Sequence, residues 1–395
     1  PYFRQVPSAA PTDRMQTAKY SCPLYTGYCC ILNAPGYLPG MGRKRQLAPK
    51  LAITYNSDMS LRFEPFEDQS SWELFILKNS PQALFQSWLW GEVQKRTGQA
   101  VYRYGIYTDD ALVGVVQASV VRAKRGSFLH VRHGPVLVSL DTQRWKTVIE
   151  FLSGEAKRLG CWFVRLNPLV EDTPPAREFF RALGLIPASI HRMDGEYCWV
   201  LDLGVSEDQL LAAMRKTTRY EIRRALKEHV KVYSTVDKTY LKEFFDLYTS
   251  TSTRHGFVPH TGIQEEFEVF ARHKQAMLYV GKYEEKTVAA AIILYYGNQA
   301  IYHHGASLPS KAPVSHAVQW EAILEAKKRG MNVYNFWGIA PQGSPKHPWR
   351  GITLFKTGFG GRLVEYLHAH DLPVSPLYWI TRLIETGRRM LRGYD

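Results

Sequence analysis

WKTVIEFLSGEAKRLGCWFVRLNP, Trp145 to Pro168, has a near copy in the second half of the chain: HAVQWEAILEAKKRGMNVYNFWG, His316 to Gly338. In both, apolar residues recur at helical spacing, Lys and Arg gather before a glycine, and a short apolar run follows. Each stretch therefore reads as a helix that stops at Gly and passes into a buried strand. EAKRLG at Glu155 and EAKKRG at Glu325 mark the same point of two units. A single shared helix end would mean little, because basic residues followed by Gly end many helices.

The residues ahead of each helix match as well. ALVGVVQASVVRA and FLHVRHGPVLV read as strands before the first helix, and TVAAAIILYYG and AIYHHGAS as strands before the second. The pairs end in Arg132-His133-Gly134 and His303-His304-Gly305. Upstream lie helical regions, SPQALFQSWLWGEVQKRTG and KTYLKEFFDLYTSTSTRHG. A repeated β-β-α-β order predicts an α/β (α+β) chain of two similar units, each a mixed sheet flanked by helices.

The boundary is expected at LDLGVSEDQ, where Ser206 and Gln209 form a capping box. Residues 59–204, completed by 366–395, make the first unit and 205–365 the second. Residues 1–58 read as a poorly structured basic extension, with seven Lys or Arg and one acid, Asp13, in the first fifty. A second box, Thr218 with Glu221, predicts another helix. On it Arg219, Arg223 and Lys227 line one face, and Ile222 and Leu226 another. Such stripes are ordinarily solvated surface, but six Lys or Arg between Arg215 and Lys227, in a chain of 395 residues with net charge +14, favour a phosphate or RNA surface.

Several classes of chemistry lack their motifs. There is no GxxxxGK[ST], GxGxxG, GxSxG or HExxH. His303 and His304, as strand neighbours, are expected to point to opposite faces, so no metal is predicted. The five cysteines have no metal-ligand spacing and suit a reducing cytosol. No apolar run reaches the roughly 18 residues of a spanning helix.

YNFWGIAPQGSPKHPWRGITLFKTGFGG, Tyr334 to Gly361, reads as a strand, a Pro- and Gly-rich loop, a short ITLFK and a glycine turn before the strand RLVEYLH. The three glycines account for tight turns. Lys356 is either an exposed lysine or a site residue.

At this segment the chain resembles the Fem peptidoglycan aminoacyltransferases (FemABX). The FK-x-x-FG run, the KTTRYEIRRA helix, RHGF at Arg254, HGPV at His133 and the QSWLWGEV helix fall in family order over residues 60–380. The resemblance implies two GNAT-like acyltransferase domains. It also implies transfer of an amino acid from aminoacyl-tRNA to an amine of the stem peptide on UDP-MurNAc-pentapeptide or lipid II. Lys356 is then the catalytic lysine, with Phe355 before it, placed to steady an oxyanion or to hold the tRNA end. Substrate-binding positions carry over as Lys95, beside Gln94; Tyr302 and His304, on one strand face; His260; and Asn167, where the family has an acid. Arg219, Arg223 and Lys227 would meet tRNA phosphates.

No sustained heptads occur between Ser206 and Gly305, so the chain resembles the arm-less variety. ITRLIETGRRMLRGYD, from Ile380, suits tRNA or an anionic membrane surface. The resulting expectation is a monomeric cytoplasmic enzyme, peripheral at the inner membrane face, using no cofactor and no metal. Its rivals are a GNAT-like N-acyltransferase acting on a polysaccharide or small amine, and a non-catalytic RNA-binding protein.

Overall fold

The computed structural model describes residues 61–255, 259–344 and 347–391. The predicted basic extension, with Cys22, Cys29 and Cys30, lies outside them. The first part of the chain forms β1 (Leu61–Pro65), α1 (Gln69–Asn79), α2 (Trp88–Arg96), β2 (Val101–Thr108), β3 (Ala111–Ala123), β4 (Gly126–Arg132), β5 (Val136–Leu137), α3 (Thr142–Arg158), β6 (Phe163–Asn167), α4 (Pro174–Ala182), β7 (Ile186–Pro187) and β8 (Tyr197–Asp202). The remainder forms α5 (Glu207–Ala213), α6 (Lys216–Lys227), β9 (Lys231–Thr235), α7 (Leu241–His255), α8 (Ile263–Arg272), β10 (Ala276–Tyr283), β11 (Lys286–Tyr296), β12 (Gln299–Ser307), α9 (Val314–Lys328), β13 (Val333–Gly338), α10 (Arg350–Thr357), β14 (Arg362–Glu365), β15 (His370–Pro373) and α11 (Tyr378–Leu391).

The repeated hexapeptide is one device used twice. After α3, Gly160 adopts φ +67°. Its N–H donates to Lys157 O at 3.1 Å, and Cys161 N–H reaches back to Ala156 O at 2.8 Å. After α9, Gly330 has φ +76°, and the matching bonds to Lys327 and Ala326 are both 3.0 Å. This is the double hydrogen bond of a left-handed glycine stop, which satisfies the last helical carbonyls and turns the chain into the next strand.

The two sheets have one strand order. The first runs β1-β2-β3-β4-β6-β15-β7, with β5 beside β3, and the second β9-β10-β11-β12-β13-β8-β14. At equivalent places stand β15 and β8, and each comes from the other part of the chain. Residues 197–202, ahead of the expected division at 204/205, pair in the second sheet with β13 and β14. Residues 370–373 pair in the first with β6 and β7. The halves thus exchange one interior strand each.

Helix α3 covers one face of the first sheet, burying Trp145, Val148 and Leu152 against Val116, Leu129 and Leu166. Helix α9 does the same in the second, with Val318, Ala322 and Ile323 against Ile293, Tyr334 and Phe336. The opposite faces meet in a shared core, where Trp72, Phe85 and Trp90 join Phe244, Phe267, Phe270, Ile292 and Leu294. Fully burying each such side chain contributes roughly 1.5–3 kcal/mol, so this core binds the halves into one body. No described helix is long and apolar enough to cross a membrane.

Two helix expectations are corrected. Ser206 and Gln209 do form a reciprocal capping box at α5. Helix α6, by contrast, begins at Lys216 with Arg215 as its uncapped N-terminal residue, and Thr218 is buried within it. On α6 Ile222 faces the core, but Leu226 is 64% exposed. The short ITLFK run belongs to helix α10, and the glycine turn expected after it is present, with Gly360 and Gly361 at φ +81° and +93° before β14.

Candidate functional site

The two units differ where their parallel central strands end. In the first, β4 and β6 stay paired from Phe128↔Phe163 to Arg132↔Asn167. In the second, β12 and β13 pair only from Gln299↔Val333 to Ile301↔Asn335. Beyond that the strands separate, leaving a wedge, and each carries an irregularity at the parting. Against β11, Tyr302 and His304 oppose the consecutive residues Ile293 and Ile292, so His303 is an extra residue. Against β8, the register of β13 slips between Asn335 and Gly338, with Trp337 at φ +66°. A bulge redirects the side chains that follow it, and a non-glycine residue at positive φ carries strain of the kind met at functional sites.

The β12 bulge overturns two sequence readings. Alternation put His303 and His304 on opposite faces, and Tyr302 and His304 on the same one. With one residue inserted, the imidazoles of His303 and His304 instead share a face and converge on Glu266 of α8. His303 Nδ1 lies 2.8 Å from Glu266 Oε1, and His304 Nε2 lies 3.1 and 3.2 Å from the two carboxylate oxygens. The alternation argument against a metal at these residues therefore does not hold. Tyr302 faces the other way, packed with the α9 core. A Cβ at residue 305 would stand 1.8 Å from the Tyr302 hydroxyl, so the Gly of HHGAS gives that ring its space.

Lys356 approaches from the Tyr302 side. It sits near the end of α10, only 6% exposed, and its Nζ donates to Gly338 O at 2.6 Å. The ammonium lies 5.7 Å from the Tyr302 ring centre. Burial brings its pKa down from 10.5 to about 7, and burial raises the Tyr302 hydroxyl to about 12. Lys356 is thus a buried amine poised between charge states at neutral pH, not the exposed lysine that the sequence also allowed.

On the opposite side His303 is walled by aromatics. Trp337, Trp90 and Phe85 have ring centres 5.1, 6.0 and 6.1 Å away. The ring of His133, the residue after β4, lies tilted 4.4 Å from that of Phe85. Its Nε2 donates to Asp194 O at 2.7 Å, which leaves Nδ1 as an acceptor, and that atom is buried without a hydrogen-bond partner among the described residues. Burial lowers the His133 pKa to about 4, so the ring is neutral. Burial alone would raise the Glu266 carboxyl, yet the two imidazoles pull it below the usual range.

The other predicted residues divide. His260 lies near this cluster, its ring 6.0 Å from His304. Asn167 ends β6 and is buried, with neither amide atom partnered among the described residues. Phe355 packs against His316 and Phe359, 5.1 and 5.3 Å away, as part of the α9 core. Lys95 is exposed and paired with Glu92 at 2.9 Å, while neighbouring Gln94 is buried on Ser119. Arg219 turns back to the carbonyls of Leu211 and Ala212 at the end of α5, and Arg223 and Lys227 are exposed on α6. Beside α10 a cavity of about 440 Å³ is lined by Trp199, Gln342, Arg350, Thr353 and Thr357, among others. A larger one, of about 640 Å³, is lined by Asp172, Arg177, Arg192 and His368 and shares no residue with the wedge.

Sequence reasoning missed Glu266, Trp337 and the role of His303. Glu266 was findable: it shares the apolar stripe of α8 with Ile263, Phe267 and Phe270, where an acid needs a partner. Nothing local announces either bulge.

Residues 190–262 and 260–386 match the family model described as the FemAB family. A segment of 96 residues is 33% identical to aminoacyltransferase FemA of Staphylococcus epidermidis, covering 24% of this chain and 21% of that protein. Another, of 129 residues, is 31% identical to the UDP-N-acetylmuramoylpentapeptide-lysine N(6)-alanyltransferase of Weissella viridescens, covering 31% of this chain and 37% of that one. The matches thus span about a fifth and somewhat over a third of these relatives. Among solved structures, that of FemX superposes with a TM-score of 0.71 at 18% identity, covering 82% of this chain and all of the other. A tandem GNAT protein from the clavulanic acid biosynthesis pathway gives 0.51 at 10% identity, covering 80% and 99%. The fold is therefore a tandem of GNAT-like units.

Proposed function

The chain belongs to the FemAB family, and on that premise we propose that it is an aminoacyltransferase extending the stem peptide of a peptidoglycan precursor, with aminoacyl-tRNA as donor. The observation that carries this reading is Lys356, buried at the parting of β12 and β13 with its Nζ on the Gly338 carbonyl. A neutral acceptor amine attacks the aminoacyl ester, a C–N bond forms, and negative charge collects on the carbonyl oxygen. Lys356, half-charged at neutral pH, becomes fully charged beside that oxyanion and stabilises it. As the carbonyl re-forms, the ester C–O bond breaks and the ribose oxygen leaves with a proton.

The remaining assignments rest on charge and exposure. Arg223 and Lys227 supply phosphate contacts for tRNA. Tyr302 lines the Lys356 side of the wedge and His260 and His304 the other, and Asn167, buried at the end of β6, is assigned to the acceptor with them. Helix α11 exposes Trp379, Ile380, Leu383 and Met390 beside Arg382, Arg388 and Arg389. That amphipathic face suits an anionic lipid surface at the cytoplasmic side of the membrane, where a lipid-linked acceptor resides.

The test is transfer itself. Purified protein is incubated with a mixture of charged tRNAs and UDP-MurNAc-pentapeptide, then with lipid II, and the acceptor mass is measured. Addition of one amino acid residue is expected with one of the two acceptors, and no mass change with either, from folded protein, refutes the reading.

A further inference from the structure

Aminolysis needs a group that accepts the proton of the attacking amine, and the assignment above names none. The strongest candidate lies on the face of β12 opposite Lys356. Glu266 is a buried carboxylate on α8, and His303 gives it an Nδ1–H bond of 2.8 Å. A carboxylate so placed fixes the tautomer: the proton sits on Nδ1, and the lone pair on Nε2. No described residue hydrogen-bonds that Nε2. This is the orientation in which a carboxylate makes an imidazole a base and stabilises the imidazolium that follows.

Position supports the chemistry. His303 is the inserted residue of the bulge, at the height where β12 leaves β13. Trp337 packs against its ring at 5.1 Å, and the next residue along β13, Gly338, holds Lys356. The two basic groups therefore flank the end of the same strand, one on each side. Aromatic walls from Phe85, Trp90 and Trp337 keep bulk water from the imidazole.

We propose that His303, oriented by Glu266, is the proton acceptor for the incoming amine, and that Glu266 is a positioning residue acting through it. This rests on the aminoacyl-transfer reading. The acceptor ammonium first gives one proton to solvent. As the neutral amine forms its C–N bond to the ester carbonyl, nitrogen becomes cationic and passes a second proton to Nε2 of His303. When the ester C–O bond breaks, that proton goes to the departing oxygen and His303 returns to neutral. The charged or titratable groups around the ring are Glu266 on α8, His304 on β12, His260 just ahead of α8, and Arg132 and His133 at the end of β4.

Two measurements test this. In ¹⁵N NMR of the imidazoles in the full chain, His303 is expected as the Nδ1–H tautomer near neutral pH, and an Nε2–H tautomer overturns the proposal whatever the protein transfers. Once transfer by the unaltered protein is established, single-turnover rates are followed against pH. His303→Gln should slow transfer by about 100-fold with KM little changed, the range for a lost general base. Glu266→Gln should move the acid limb of the profile to lower pH, because the imidazole loses the carboxylate that makes it basic. Added imidazole should restore part of the rate of His303→Ala. Rates within about 3-fold of the unaltered protein for His303→Gln, or a tightly bound metal ion that Glu266→Gln abolishes, would overturn it. Failure of the unaltered protein to transfer strikes the function reading alone, and the NMR result then decides the dyad.

Discussion

Replacing Lys356 by Met separates burial of a charge from loss of a catalyst. In the unfolded chain the amine titrates near 10.5, and in the folded protein burial holds it at about 7. Protonating it inside the protein is therefore disfavoured by about 5 kcal/mol relative to water. Because the folded pKa is the lower one, between the two values the unfolded chain binds a proton that the folded protein does not. Stability from this group consequently rises with pH across that window. From pH 6 to pH 9 the unaltered protein should gain about 2.5 kcal/mol that Lys356→Met does not. Loss of the bond to Gly338 O subtracts roughly 1–2 kcal/mol from the variant at every pH, so only the slope is diagnostic. Urea unfolding of both proteins at pH 6, 7.5 and 9, followed by tryptophan fluorescence, measures the difference. Transfer by the Met variant should be severely reduced throughout. A stability difference constant to within about 0.5 kcal/mol across that range would mean an ordinary, solvated lysine, and would refute the buried-amine argument.

Other perturbations follow from the same structure. Asp371→Asn leaves Arg165, which it meets at 2.7 and 2.8 Å, with only Glu385 in a buried cluster; a loss of about 3–5 kcal/mol is expected by chemical denaturation. Arg223→Ala with Lys227→Ala should weaken tRNA binding and lower the slope of log affinity against log salt by about 1–2, read by filter binding at several salt concentrations. Ile380→Glu with Leu383→Glu should abolish co-sedimentation with phosphatidylglycerol vesicles while leaving the melting temperature unchanged, since Leu383 is 75% exposed.

What could be read in advance was whatever local chemistry encodes. The helix stops at Gly160 and Gly330 are written in six residues each, so the repeat was visible, and with it the two-unit fold. The Ser206 box was legible for the same reason. Thr218 offered the same letters but lies inside α6, because Arg215 and Lys216 had already begun the helix. Helix α10 escaped notice because Ile352 and Leu354 are exposed on it, giving no clean apolar stripe beside the glycines. The site was half legible: Lys356 was found by resemblance, yet its burial depends on Gly338 and Tyr302, which come from other strands. His303 and His304 were misread because a bulge is a property of pairing with β11, and no residue in HHGAS states it.

The exchanged strands also set a timetable for the growing chain. Arg165 in β6 finds its carboxylate at Asp371, 206 positions downstream. At roughly 5–20 residues per second, synthesis takes about 10–40 s to cover that distance. Throughout that interval the first sheet has an open edge along β6, the kind of surface on which strands from other chains pair. A chain broken off shortly before His370 would never close it. The unit made first is therefore the last to be finished.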